Sequence, residues 1–296
     1  MARRLYTEKL IGFIKLTRPY ILLTSTPFFL GSTFLSVHGI PPIKNFIAGF
    51  LSVSFAIAAS HTINDFFDWK TDSRNPRTIK RPIPTGLISP NEALVFAIVL
   101  GICALGIAFF LNSYSAIIAI ASIPLPFLYN FLRKHGIPFS FVCPVFAEQN
   151  IILIGSTSIT GRLMVNNIWP LLILSLFWET GRTLNSGIQD VSSDKASRIV
   201  TLPVILKPKI AAWLVLSLFS FASITSVLIG IIAKLGILYR VISLASGLWL
   251  IYEGTKLVKE PTTQQAVKTR TNAPKFVTII FLTIAISYVI NKFTGF

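Results

Sequence analysis

The chain is built of long apolar runs separated by short polar stretches. Crossing about 30 Å of hydrocarbon takes roughly 20 apolar residues in a helix. Nine segments qualify, at about 19–37, 45–67, 91–111, 114–132, 138–158, 167–188, 210–233, 236–257 and 275–294. Pro124, Pro126, Pro138 and Pro144 are expected to kink or shorten the fourth and fifth, a distortion that membrane helices tolerate. The first apolar run follows Pro19 and shows no small-residue cleavage site, so it reads as a retained helix rather than a signal peptide. The pattern predicts an all-α integral membrane protein, with one domain over residues 1–296.

Composition agrees. Of 296 residues, 53% are hydrophobic and 13% charged, and the mean hydropathy is +0.70; soluble domains carry about 25% charged residues. A net charge of +16 could suit a nucleic-acid partner, but no long soluble segment exists to carry such a surface. Cys103 and Cys143 both fall inside apolar runs, which excludes a disulfide or metal framework.

The basic residues are distributed unevenly. With the N-terminus placed inside, 21 Lys and Arg fall on that side, in the tail and in the loops after the second, fourth, sixth and eighth spans. The opposite side has five, Lys44, Arg162, Lys234, Arg240 and Lys292. This positive-inside bias predicts a multi-pass cell-membrane protein with a cytoplasmic N-terminus and its C-terminus across the membrane. Topology and attraction to anionic headgroups account for much of the charge, but not for the acidic residues beside two of these loops.

Those acids form two clusters. Asn64, Asp65, Asp68 and Asp72 end the second span, and Asp190 and Asp194 end the sixth. Positions i, i+4 and i+8 share a helix face, so Asn64, Asp68 and Asp72 make one polar ridge and Asp190 with Asp194 another. Asp65 is turned by about 100° from Asn64, toward a basic partner elsewhere. Like charges at i, i+4 repel, and near hydrocarbon the cost rises, so each ridge calls for a cation. Mg²⁺ is commonly held by one or two carboxylates plus substrate phosphates. Basic residues flank both ridges, Lys70, Arg74, Arg77, Lys80 and Arg81 at the first and Lys195 and Arg198 at the second. Together these groups suit a diphosphate. There is no Gly-rich phosphate loop, which excludes a P-loop nucleotide site. The ridges lie 126 residues apart, from Asp68 to Asp194, on spans that run in the same direction, as in a parallel internal repeat.

Asn64-x3-Asp68-x3-Asp72, Arg81-Pro82-Ile83-Pro84-Thr85-Gly86, and Asp190-x3-Asp194 with Thr201-Leu202-Pro203 resemble the motifs of the UbiA-type intramembrane prenyltransferases. Thr17-Arg18-Pro19 and Tyr129 are similar to further family positions, and the resemblance covers nearly the whole chain. It implies nine transmembrane helices around a central cavity, as two four-helix repeats plus one helix, capped by cytoplasmic polar loops. It further implies two Mg²⁺ ions, one served by Asn64, Asp68 and Asp72 and the other by Asp190 and Asp194, holding the diphosphate of a prenyl donor of geranyl to geranylgeranyl length or longer. Arg18, Lys80, Arg81 and Lys195, then Arg133 and Lys134, are the expected diphosphate contacts. Lys70 and Arg77 are expected to be solvated. Tyr129 or Trp69 could present an aromatic face to the allylic cation, with Tyr129 placed among the catalytic residues.

The motifs bind the donor that the family shares and do not choose the acceptor. Ser193 stands where lipid-type members carry Gly, which points to an aromatic quinone precursor; the many inside basic residues point to a phosphorylated acceptor such as a geranylgeranylglyceryl phosphate. The aromatic acceptor is the expectation. A terpene cyclase, which traps the cation internally, and a transporter that retains the fold are the alternatives. Among other polar residues, Asn185 is placed with the substrate contacts and His61 could line the cavity. Glu179 and Arg182, at i, i+3, are expected to neutralise each other. Glu148 has no basic neighbour in sequence and could serve the acceptor or take a proton.

Overall fold

Hydrocarbon leaves a backbone no partner but itself, and each apolar run duly closes its hydrogen bonds within a helix. The computed structural model describes the backbone of residues 2–74, 78–163 and 168–294, and side chains over the same ranges except 2–5, 22–24 and 291–294. Arg77 lies outside these residues, as do the side chains of Arg3, Arg4 and Lys292. The described residues form helices and no strands: α1 (Ala2–Leu16), α2 (Pro19–Val37), α3 (Ile43–Asp72), α4 (Pro90–Leu111), α5 (Ser113–Ser122), α6 (Pro124–Lys134), α7 (Val142–Thr160), α8 (Trp169–Ala196), α9 (Leu202–Leu206), α10 (Pro208–Ile232), α11 (Gly236–Lys259), α12 (Thr263–Asn272) and α13 (Pro274–Thr294).

Among the described residues, seven helices or joined helices are long and apolar enough to cross a membrane, or up to eight if the bent pair Tyr6–Ile21 and Ser25–Val37 counts as one span. Helix α8, predicted as the sixth span, falls short because Glu179, Arg182 and Asn185 interrupt its apolar run. The fourth predicted span is divided into α5 and α6, since Pro124 and Pro126 remove donors from the ladder where the two join. The fifth begins four residues later than the pattern suggests, with Pro138 left in a turn before α7. Three helices, α1, α9 and α12, lie in stretches read above as tail and loop.

Helix α3 has 30 residues and α8 has 28. At 1.5 Å per residue both reach beyond 40 Å, longer than the hydrocarbon core, so each can be apolar along most of its length and polar at one end. The chain enters α2 through Arg18, whose left-handed backbone (φ 48°) turns it out of α1 ahead of Pro19. Helix α4 opens on a capping box, in which Ser89 Oγ accepts from the Glu92 amide at 3.2 Å and the Ser89 amide donates to Glu92 Oε2 at 2.8 Å. Lys9 of α1 reaches Glu92 Oε1 at 2.6 Å and ties the two helices.

The main core lies where α2, α7, α8, α10, α11 and α13 meet, with Trp178 stacked on Phe219 and Phe28 tilted against Phe281 at 4.6 Å. Large apolar side chains also cover the outside, Phe110 being 95% exposed and Ile237 73%, as a lipid-facing surface requires. Helices α2 and α13 approach closely at Gly31, where a Cβ would fall inside the van der Waals envelope of the buried Phe281 ring, with Cε1 2.8 Å away. Overpacking of this kind costs about 1–3 kcal/mol. Gly31→Val should therefore lower the thermal unfolding midpoint in detergent, and an unchanged midpoint would show that Phe281 moves aside freely.

Candidate active site

Both ridges form as continuous helix faces, on the last turns of α3 and α8. Arg133, in the last turn of α6, meets the second ridge: its guanidinium lies 3.5 Å from Asp194 Oδ1 and sits over the Tyr129 ring at 5.6 Å, and it feels the negative charge of Asp68 on the first ridge. Tyr129 and Arg133 are one turn apart on α6, which places ring and cation on one face. They line a cavity of about 100 Å³ with Asp190, Asp194, Ser140, Thr183 and Thr201. Thr201 Oγ1 donates to Asp194 Oδ2 at 3.3 Å, so the Thr-Leu-Pro motif closes the cavity beside the second ridge.

The first ridge is held differently. Asp65 is buried and accepts from both Arg18 and Arg81, the latter at 3.1 Å. Arg81 also reaches Asp72 Oδ2 at 2.6 Å, and Thr78 Oγ1 bonds the Asp72 carbonyl at 3.1 Å, which folds the Arg-Pro motif back onto α3. The two arginines placed among the diphosphate contacts are therefore anchored by the acid rotated off the ridge. Removing one partner of a buried ion pair costs about 3–5 kcal/mol, so Asp65→Ala should sharply reduce folded yield and thermal stability; full stability would show that Arg18 and Arg81 find other partners.

The other expected site residues divide clearly. Asn64 Oδ1 accepts from Asn130 Nδ2 at 2.9 Å. Asn130 itself was not singled out in the sequence, where nothing but its place beside Tyr129 marks it. Lys134 is exposed with its ammonium 5.3 Å from the Phe67 ring centre. Lys80 and Lys195 are exposed. Asn185 is buried and donates to the Ala266 carbonyl at 3.0 Å, stapling α8 to α12. Trp69 packs on the small cluster of Leu16, Ile83, Ile88 and Ala93, away from the cavity that Tyr129 lines.

Asp68 has no hydrogen bond or ion pair among the described residues, although it is half-buried. The donors on both ridges are oxygens, the type that a hard divalent ion takes. Among the described residues no three acid, His or Cys side chains converge on one point. Each ridge thus offers at most a carboxylate pair, which fits a Mg²⁺ that completes its shell from phosphate oxygens and water, and does not fit a cage made of protein alone.

A model of the UbiA prenyltransferase family matches residues 25–291. The chain belongs to this family. It is a membrane-embedded prenyltransferase. The digeranylgeranylglyceryl phosphate synthase of Thermococcus sibiricus is 31% identical over 260 residues, 86% of this chain and 88% of that protein. The 4-hydroxybenzoate octaprenyltransferase of Pasteurella multocida is 26% identical over 257 residues, 86% of each. Among solved structures, a UbiA homolog from Archaeoglobus fulgidus, bound to DMAPP and Mg²⁺, superposes with a TM-score of 0.74 at 20% identity, covering 95% of this prenyltransferase and 99% of that chain. Relatives of this prenyltransferase thus use both phosphorylated lipid and aromatic acceptors by name.

Proposed function

We propose that this prenyltransferase moves an isoprenyl group from a prenyl diphosphate to the free hydroxyl of an isoprenyl glyceryl phosphate, with Mg²⁺ on each ridge. The observation that carries the donor half is Arg133, a cation 3.5 Å from Asp194 of the second ridge that also feels the charge of Asp68 on the first, with the Tyr129 ring 5.6 Å from its guanidinium. Bound Mg²⁺ would neutralise the ridges and the charge gathering on the departing diphosphate. Asn64, Asp68 and Asp72 would hold one ion and Asp190 and Asp194 the other. Arg133 gives the diphosphate oxygens charge-assisted hydrogen bonds, with Arg18 and Arg81 held nearby by Asp65, and with Lys80, Lys134 and Lys195 exposed. Tyr129 presents its ring face to the allylic carbon. Asn185 acts through the α8–α12 staple, which fixes the helix that carries the second ridge.

For the acceptor, the 31% identity to the Thermococcus sibiricus lipid synthase and the surplus of cations support a phosphorylated lipid. Ser193, which pointed to an aromatic acceptor, is exposed and donates to the Asp190 carbonyl at 2.9 Å; it is turned into its own helix, which weakens that argument.

The proposed membrane arrangement has nine spans, α2 and α8 joining the seven apolar ones, with the N-terminus and both ridges at the cytoplasmic face and the C-terminus opposite. Two repeats of four are supported by the way each ridge helix packs on its successor, α3 on α4 and α8 on α10.

Purified protein in lipid with Mg²⁺, geranyl, farnesyl or geranylgeranyl diphosphate and either geranylgeranylglyceryl phosphate or 4-hydroxybenzoate should yield a prenylated glyceryl phosphate by mass spectrometry. EDTA should abolish it. Product from 4-hydroxybenzoate alone would reverse the acceptor assignment. A cyclic hydrocarbon formed without acceptor would make the protein a cyclase.

A further inference from the structure

Four serine and threonine side chains line the cavity beside Arg133: Ser140, Thr183, Ser186 and Thr201. Three of them spend their hydroxyl proton on the protein. Thr183 donates to Glu179 Oε1 at 3.4 Å, Glu179 being itself paired with Arg182 at 2.6 Å. Ser186 donates to the Arg182 carbonyl at 3.1 Å, and Thr201 to Asp194 Oδ2 at 3.3 Å. Ser140 differs. It is 6% exposed, and its hydroxyl makes no hydrogen bond among the described residues.

The local structure explains how Ser140 reaches this wall. Helix α6 ends in a Schellman motif. Gly136, with a left-handed backbone (φ 67°), donates to the Arg133 carbonyl at 3.3 Å, and the Ile137 amide donates to the Leu132 carbonyl at 2.9 Å. Pro138 follows and has no amide to continue the helix. The next turn closes with the Val142 amide on the Phe139 carbonyl at 3.0 Å and the Cys143 amide on the Ser140 carbonyl at 3.2 Å, where α7 begins. Arg133 and Ser140 therefore stand at the two ends of one braced connection and line the same cavity. A buried hydroxyl without a partner destabilises the fold that carries it, so packing alone gives no reason for Ser at this position.

We infer that Ser140 is a further substrate-contacting residue, whose hydroxyl donates to a phosphoryl oxygen held in the same cavity by Arg133. This rests on the reading above, in which the prenyl diphosphate and the glyceryl phosphate both bring phosphoryl groups. A phosphoryl group offers several strong acceptor oxygens. One of them can take the guanidinium while another takes the hydroxyl, and a hydroxyl bond to an ionised oxygen is of the strong, charge-assisted kind. Ser140 transfers no proton and forms no covalent bond in this role.

The test is calorimetry in detergent with Mg²⁺, using geranylgeranyl thiolodiphosphate, inorganic diphosphate and, with the analogue in place, geranylgeranylglyceryl phosphate. Ser140→Ala should leave the thermal midpoint of the ligand-free protein unchanged, because no bond of the fold is lost. It should weaken binding by about tenfold, the equivalent of one hydrogen bond to a charged group. Ser140→Cys, close in shape but a weak donor, should lose as much, and Ser140→Thr, which restores the hydroxyl, should recover part of the loss. Ser186→Ala, whose hydroxyl is spent on Arg182, should stay within twofold. A loss confined to the thiolodiphosphate and inorganic diphosphate supports the contact and assigns it to the donor. A loss confined to the glyceryl phosphate supports it and assigns it to the acceptor. Affinity within twofold for all three ligands in Ser140→Ala would overturn the proposal. So would a lowered midpoint of the ligand-free protein with every affinity falling together, since Ser140 would then serve only the fold. If the unmodified protein forms no prenylated product, the transfer reading alone falls, because inorganic diphosphate tests Ser140 without turnover.

Discussion

Asp68→Asn should lower prenyl transfer at least 10²–10³-fold, the range lost when one preorganised electrostatic group is removed from a charge-separating site, while the protein inserts and purifies normally. The structure separates these two outcomes. Asp68 makes no hydrogen bond or ion pair among the described residues, so losing its charge breaks no such contact of the fold, and Asn keeps its volume. The neighbouring Asp65, three residues earlier, is the opposite case, with two arginines depending on it. Comparing Asp68→Asn with Asp65→Ala therefore distinguishes a residue kept for chemistry from one kept for structure. Asp194→Asn should behave like Asp68→Asn in turnover, with a small loss of stability because Thr201 and Arg133 both contact Asp194. Raised Mg²⁺ should recover part of the Asp68→Asn activity if the carboxylate holds the ion. Activity near that of the unmodified protein in Asp68→Asn would remove the first ridge from the metal site.

Arg133→Ala should weaken donor binding by roughly tenfold to 150-fold, the equivalent of about 1.5–3 kcal/mol for hydrogen bonds to a charged group. Arg133 pairs with Asp194 at 3.5 Å and feels the charge of Asp68, so its removal also takes a neutralising charge from the carboxylates. Arg133→Lys should restore only part of the affinity, because a single ammonium cannot reproduce a planar fork stacked over Tyr129. Binding of geranylgeranyl thiolodiphosphate measured by calorimetry in detergent, with and without Mg²⁺, would show it. Equal affinity in Arg133→Ala would mean that Arg133 only screens the ridges, and that diphosphate contact falls to Arg18 and Arg81.

The elements that were legible in the sequence are those set by local rules. Apolar run length located seven of the helices long and apolar enough to cross a membrane among the described residues, and i, i+4 spacing put Asn64, Asp68 and Asp72 on one face and Asp190 and Asp194 on another, because helix geometry is the same wherever the helix ends up. The odd position of Asp65 was visible for the same reason. Charge repulsion near hydrocarbon then asked for a cation without reference to the fold. Boundaries failed where local rules compete. Pro124 and Pro126 turned one predicted span into two helices, and α8 is too polar at Glu179, Arg182 and Asn185 to register as a plain membrane span.

Partnerships across helices were set by packing. Among several basic residues flanking the ridges, nothing local distinguishes Arg133, which pairs with Asp194, from Lys80 or Lys195, which are exposed. Asn130 meeting Asn64 and Arg18 meeting Asp65 across 47 positions are likewise contacts between different segments. By itself the sequence determined an all-helical membrane protein with two acidic ridges, because apolar length and helical period act within one segment. Only the tertiary structure decided which cation meets the second ridge and which arginines Asp65 anchors, because those depend on how rigid helices rotate and tilt against one another to fill space.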